Sequence, residues 1–93
     1  MIRKVIKLSA PWCGQCRSYA NTFHTVSEME EFKNISFEEM DIEESDENEA
    51  FAYKYGVRSL PTTLILDEND NEITKVVGNV PINTLVDTIS QTM

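Results

Sequence analysis

Two cysteines, Cys13 and Cys16, are the residues in this sequence best suited to chemistry. They are the chain's only cysteines, and they sit three apart where an apolar run ends at Pro11 and Gly14. Residues three apart in the first turn of a helix bring their α-carbons within disulfide range, roughly 4.4–6.8 Å. A helix N-terminus carries partial positive charge and free N–H groups, which stabilise a thiolate on the first cysteine, Cys13. The thiolate is the species that attacks another disulfide. Cys16, one turn further on, falls on the apolar side of the same helix, shielded yet adjacent. That placement suits a resolving thiol, one that attacks the mixed disulfide and releases the reduced substrate.

A metal site is the runner-up chemistry. Structural zinc wants four N or S ligands. Two cysteines and His24 on a separate helical turn fall short within one chain, so no metal is expected there. A cluster shared between two subunits through Cys13 and Cys16 is the remaining metal reading.

The elements that must position the pair can be read from the periodicity. Val5-Ile6-Lys7-Leu8 predicts a strand. Cys16, Tyr19, Ala20, Phe23 and Val26 recur at helical spacing and make one apolar face. A turn at Lys33-Asn34 leads to a second strand over 35–42. A second helix follows, capped by Asp46 with Glu49 as a capping box, or by Ser45 instead, and stopped at Gly56. Tyr53 and Tyr55 near its end read as packing residues. Thr62-Thr63-Leu64-Ile65-Leu66 and Ile73-Thr74-Lys75-Val76-Val77 predict a hairpin around a turn at 67–71. Pro81 suits the first turn of a last helix whose buried face is Ile82, Leu85, Val86 and Ile89. The order is β-α-β-α-β-β-α. The fold class is α/β, with the first two strands parallel, a four-stranded mixed sheet and helices on its two faces. Residues 1–93 read as a single domain.

Composition excludes several partners. With 16 acidic against 8 basic residues, the formal net charge is -8. Phosphate binding needs clustered Lys and Arg, so nucleic acid and anionic membranes are disfavoured. Eight acidic residues and no basic ones lie between Glu38 and Glu49. This segment reads as a solvated, self-repelling surface, with a docking patch for a basic partner as the alternative. The first residues hold basic groups but no apolar run of signal-peptide length, and nothing approaches a membrane-spanning helix. The expectation is a cytoplasmic protein, where a lone close cysteine pair is catalytic or metal-binding rather than structural.

The string Ser-Ala-Pro-Trp-Cys-Gly-Gln-Cys over 9–16 resembles the active-site signature of the thioredoxin family. A second match is the stretch from Lys54 to Thr63, with Leu60-Pro61-Thr62, and a third is Val77-Gly78. They occur in family order, and the resemblance covers nearly the whole chain. The family's first strand and helix are not matched, so the expected form is a minimal thioredoxin fold.

The resemblance implies a protein-disulfide reductase, cycling Cys13 and Cys16 between dithiol and a redox-active disulfide without a bound cofactor. Electrons would come from a thioredoxin-reductase-like protein that uses a flavin and NADPH. They would go to protein disulfides, with ribonucleotide reductase a candidate acceptor, and the chain would act as a monomer. Trp12 would lie at the surface and contact substrate, beside Gly14. Pro61 would be a cis-proline that leaves the backbone of Leu60 free to pair with substrate, next to Thr62, with Gly78 on the same surface. Two rivals are a glutaredoxin-like, glutathione-dependent oxidoreductase and a redox-inactive adaptor of the same fold. The Trp-Cys and Leu-Pro-Thr strings, and the lack of a Gly-Gly pair after the last strand, disfavour the first. Two intact reactive thiols disfavour the second.

The sequence departs from the family twice. Gln15 replaces the proline common between the cysteines and leaves an N–H able to bond a thiolate. Lys7, on the strand face shared by Val5 and Ser9, stands where the family often has a buried acid. A cation there favours thiolate and stabilises the reduced form, making a weaker reductant. Its long stem could also carry the ammonium to the sheet edge near Glu39 or Asp41. His24 and Arg58 read as exposed.

Overall fold

Strand β1 (Ile2–Ser9) is longer than its apolar run, and five of its eight residues are buried. That burial follows from its place in the sheet. The computed structural model describes residues 2–93, so Met1, the first residue of the expected domain, lies outside the described residues. The remaining elements are α1 (Gly14–Ser27), β2 (Ser36–Asp41), α2 (Asp46–Lys54), β3 (Thr62–Asp67), β4 (Glu72–Val77) and α3 (Ile82–Thr92). This is the predicted β-α-β-α-β-β-α order. The sheet order is β2-β1-β3-β4, which makes β1 and β3 the central strands. β1 runs parallel to β2, with Lys7 opposite Glu39, and antiparallel to β3, with Lys7 opposite Thr63. β3 and β4 form the expected antiparallel hairpin.

Side chains alternate across a strand, so β1 feeds two cores. Val5 joins Tyr19, Phe23, Val26, Ile65, Leu85 and Ile89 beneath α1 and α3. Ile6 and Leu8 join Leu64, Leu66, Ala52 and Tyr55 on the α2 side. Strands covered on both faces read as continuous apolar runs.

Local chemistry sets the helix ends. In α2, Ser45 is the cap: its hydroxyl accepts from the Asn48 N–H at 3.1 Å, and Asp46 is already helical. The Asp46–Glu49 box is therefore not the cap. Gly56 takes φ +68°, and the Gly56 and Val57 amides bond back to Tyr53 and Ala52, a Schellman ending that requires the left-handed conformation glycine allows. Pro81 caps α3 from an extended conformation rather than entering its first turn. Its missing N–H costs nothing at either position.

Two expectations about burial change. Tyr53 is exposed, because it lies on the outer side of α2, whereas Tyr55 is buried and donates to the Asp70 carbonyl at 2.6 Å. Ile82 is exposed, being at the very start of α3, where only Leu85 and Ile89 reach full burial. Before β2, a short 3-10 turn at Glu30–Phe32 inserts Phe32 into the core.

The hairpin turn is held by Asp67, whose carboxylate accepts from the Asn71 and Asn69 amides. These bonds hold its carboxyl below the ordinary value of 3.8.

Tyr19 ties α1 to the sheet. Its ring is fully buried and its hydroxyl meets Thr63 Oγ1 at 2.6 Å. Burial pushes the phenol up from its ordinary 10.0, against the opposing effect of the Thr63 bond. The folded state then holds this proton more tightly than the unfolded chain. The associated stability is present below pH 10 and is lost as pH rises through the folded value. Tyr19→Phe should cost about 1 kcal/mol at neutral pH. Thermal melts from pH 8 to 11 should show a smaller alkaline loss for the variant than for the parent; parallel curves would remove Tyr19 as the cause.

Candidate active site

All of the site elements meet at one end of the sheet. β1 ends at Ser9 and leads into the loop 10–12, and Cys13 is the N-cap of α1. Antiparallel pairing of Leu8 with Thr62, and of Thr62 with Val77, sets the start of β3 and the end of β4 beside that loop. Parallel pairing of Ser9 with Asp41 brings the end of β2 there too.

Cys13 has an extended backbone, and its sulfur accepts from the Cys16 N–H at 3.1 Å. It thus fills the place that a Ser or Asp oxygen takes in an ordinary helix cap, where unpaired amides and the helix dipole favour negative charge. The donor to the sulfur is the Cys16 amide, whereas the sequence drew attention to that of Gln15, an exposed residue. Cys13 and Cys16 are joined as a disulfide with a Cα separation of 5.2 Å. Both are largely buried, at 5% and 4% exposure, so the helix position and not shielding distinguishes them. Gly14 opens the helix, and a Cβ there would meet only the Arg17 guanidinium at 3.7 Å.

The loop before the pair is fixed from two sides. The Trp12 ring is exposed, and its indole N–H donates to the Glu43 carboxylate. Arg17 donates to the Pro11 carbonyl at 2.9 Å. Across from the loop, the Leu60–Pro61 peptide is cis, as the family resemblance implies. Leu60 is half-buried, and Thr62 bonds the Ser59 carbonyl at 2.7 Å. Gly78 donates its N–H to the Pro61 carbonyl at 2.8 Å. A Cβ on Gly78 would have open space, so its φ of +98° is what calls for glycine.

Lys7 is buried on the α1 side of β1. Its ammonium meets Glu39 Oε1 at 2.7 Å and lies 5.5 Å from the centre of the Phe23 ring. Of the two carboxylates expected near it, Glu39 is the partner. Together with Ser9, Pro11, Cys16, Arg17 and Asp41, Lys7 lines an open pocket of about 320 Å³. His24 is exposed and paired with Glu28, away from this end of the sheet. Among the described residues, no group of three or more His, Cys, Asp or Glu is placed to hold a metal ion, and no helix is long and apolar enough to cross a membrane.

Sequence reasoning passed over Arg17 and Glu43. A signal for Arg17 existed, since it directly follows Cys16. Glu43 lay among eight acids and carried none.

The thioredoxin family model matches residues 2–91. The chain belongs to the thioredoxin family. A thioredoxin of Aspergillus fumigatus is 36% identical over 77 residues, covering 83% of this chain and 66% of that protein. One from Synechocystis is 37% identical over 82 residues, covering 88% and 72%. Among solved structures, the thioredoxin of Malassezia sympodialis superposes with a TM-score of 0.81 at 28% identity, over 95% of this chain and 72% of that one. The chain thus spans about two thirds to three quarters of these relatives. Its Cys13–Cys16 disulfide stands at the family's redox centre, and its chemistry is thiol–disulfide oxidoreduction. Thioredoxins work without a bound cofactor, the redox group being the disulfide itself. In general they take electrons from a thioredoxin reductase and reduce protein disulfides.

Proposed function

We propose that this chain reduces protein disulfides with Cys13 as the attacking thiol and Cys16 as the resolving one. The observation that carries this order is the Cys13 sulfur at the cap of α1, accepting the Cys16 N–H at 3.1 Å. The Cys13 thiolate attacks a substrate sulfur, forms a mixed disulfide and expels the other substrate sulfur as a thiolate. Cys16 then attacks Cys13, the Cys13–Cys16 bond forms, and the second substrate sulfur leaves. Two electrons pass to the substrate, whose sulfurs each take up a proton.

The substrate segment would lie between Trp12 and the loop of Leu60, Pro61 and Thr62, with Gly78 flanking it. Gly14 and Gln15 leave this face open, and an extended substrate can pair with the backbone of Leu60. Electrons come in this reading from a reductase that uses NADPH and a flavin. Ribonucleotide reductase is a fitting acceptor, and the setting is the cytoplasm, with the chain acting as a monomeric domain over 1–93.

Given NADPH and a thioredoxin reductase, the chain should reduce insulin disulfides, with NADPH consumption matched to thiol release. Glutathione with glutathione reductase should not sustain the reaction. Activity that required glutathione would overturn the reading in favour of a glutaredoxin.

A further inference from the structure

Among the described residues, Lys7 is the one charged side chain that the fold buries. A buried ammonium costs several kcal/mol unless it is paired. Here the pairing is lopsided: Lys7 is 4% exposed, whereas its partner Glu39 is 67% exposed and sits on the edge strand β2. Phe23 adds its ring face from α1. The parallel register, which sets Lys7 directly opposite Glu39, is what makes the contact.

The pocket that Lys7 lines is also lined by Cys16, but not by Cys13. A cation there acts first on the resolving sulfur. The other charged groups facing this pocket are Arg17 from α1 and Asp41 from the end of β2. Arg17 is exposed and engaged by the Pro11 carbonyl, so it acts largely through water, while the half-buried Asp41 carboxylate is engaged by the Glu43 amide. From β3, the group opposite Lys7 is Thr63, whose hydroxyl is bonded to Tyr19; neither carries charge at neutral pH.

We propose that Lys7, oriented by Glu39, is a positioning residue that favours the thiolate of Cys16 and so speeds release of the substrate. The proposal rests on the reading of Cys16 as the resolving thiol. In that step the Cys16 proton passes to water in the pocket. The Cys16 thiolate attacks Cys13, and the Cys13–Cys16 bond forms as the Cys13–substrate bond breaks. The electron pair leaves on the substrate sulfur, which then takes up a proton from water. The substrate disulfide is the only oxidant required.

The test isolates Cys16 in a Cys13→Ser background and follows its alkylation by iodoacetamide, and its thiolate absorbance, against pH. Lys7→Met, which keeps the volume and removes the charge, should slow alkylation about tenfold at neutral pH and displace the profile to higher pH. Lys7→Arg should restore most of the rate, and Glu39→Gln should fall between. With both cysteines present, Lys7→Met should shift the glutathione equilibrium toward the disulfide. A Lys7→Met profile superimposed on that of the parent, at equal thermal stability, overturns the proposal. A failure of Cys16→Ser to trap substrate would instead overturn the assignment of Cys16 itself.

Discussion

Replacing Cys16 with serine should convert the protein from a turnover reductase into a trap. Cys13 keeps its place at the α1 cap, with the amide of residue 16 still aimed at its sulfur. It can therefore attack a substrate disulfide, but no second sulfur is present to break the resulting bond. Steady-state insulin reduction should fall to background while mixed disulfides accumulate on non-reducing gels. Cys13→Ser should lose the activity equally and accumulate none, since Cys16 lacks the helix-cap position that makes Cys13 the attacking thiol. The asymmetry is the informative result. Equal trapping by both variants, or by neither, would reject the assignment of roles, whereas loss of activity alone would not test it.

Truncation of Leu8 should have the largest effect on stability. Leu8 is completely buried on the α2 face of β1, one residue before the strand gives way to the active-site loop. Leu8→Ala removes apolar surface and leaves a cavity against Leu64 and Tyr55, at a cost of about 2–5 kcal/mol. A small domain has about 5–15 kcal/mol in all. The urea midpoint should drop accordingly, while Glu47→Ala on the exposed first turn of α2 should move it by less than about 0.5 kcal/mol. A change under about 1 kcal/mol for Leu8→Ala would mean that the α2 face closes over the gap.

Element order and the cysteine placement were legible because each leaves a local trace. Cys13 and Cys16 stand where apolar alternation turns into helical spacing, and the buried residues Cys16, Tyr19, Phe23 and Val26 fall at that spacing. The reach of Lys7 toward the β2 edge was legible once the parallel pairing was assumed. What could not be read depends on sites distant in sequence. The bond from Trp12 to Glu43 spans 31 positions and that from Tyr19 to Thr63 spans 44. Neither leaves any periodic mark. The exposure of Tyr53 and Ile82 had a similar origin. Apolar residues look alike in a sequence, and which of them is covered depends on where a helix stops against its neighbour. Ser45 and Asp46 were both acceptable caps by type; the extended backbone at Ser45 selects the first.

The order β2-β1-β3-β4 has a consequence for synthesis. β1 and its cysteines leave the ribosome well before β3, the central neighbour that β1 must pair with. β2 can line up beside β1 early, but parallel pairing of two strands and a helix leaves one face and one flank open. Loop-closure entropy makes such distant pairing slow to form. During that interval Cys13 and Cys16 are present as thiols on a nascent chain without the wall that the segment from Leu60 to Thr62 will later supply. The reactive pair is made first and the surface facing it last, so a chain arrested before residue 62 would carry a dithiol with no cis-proline loop across from it.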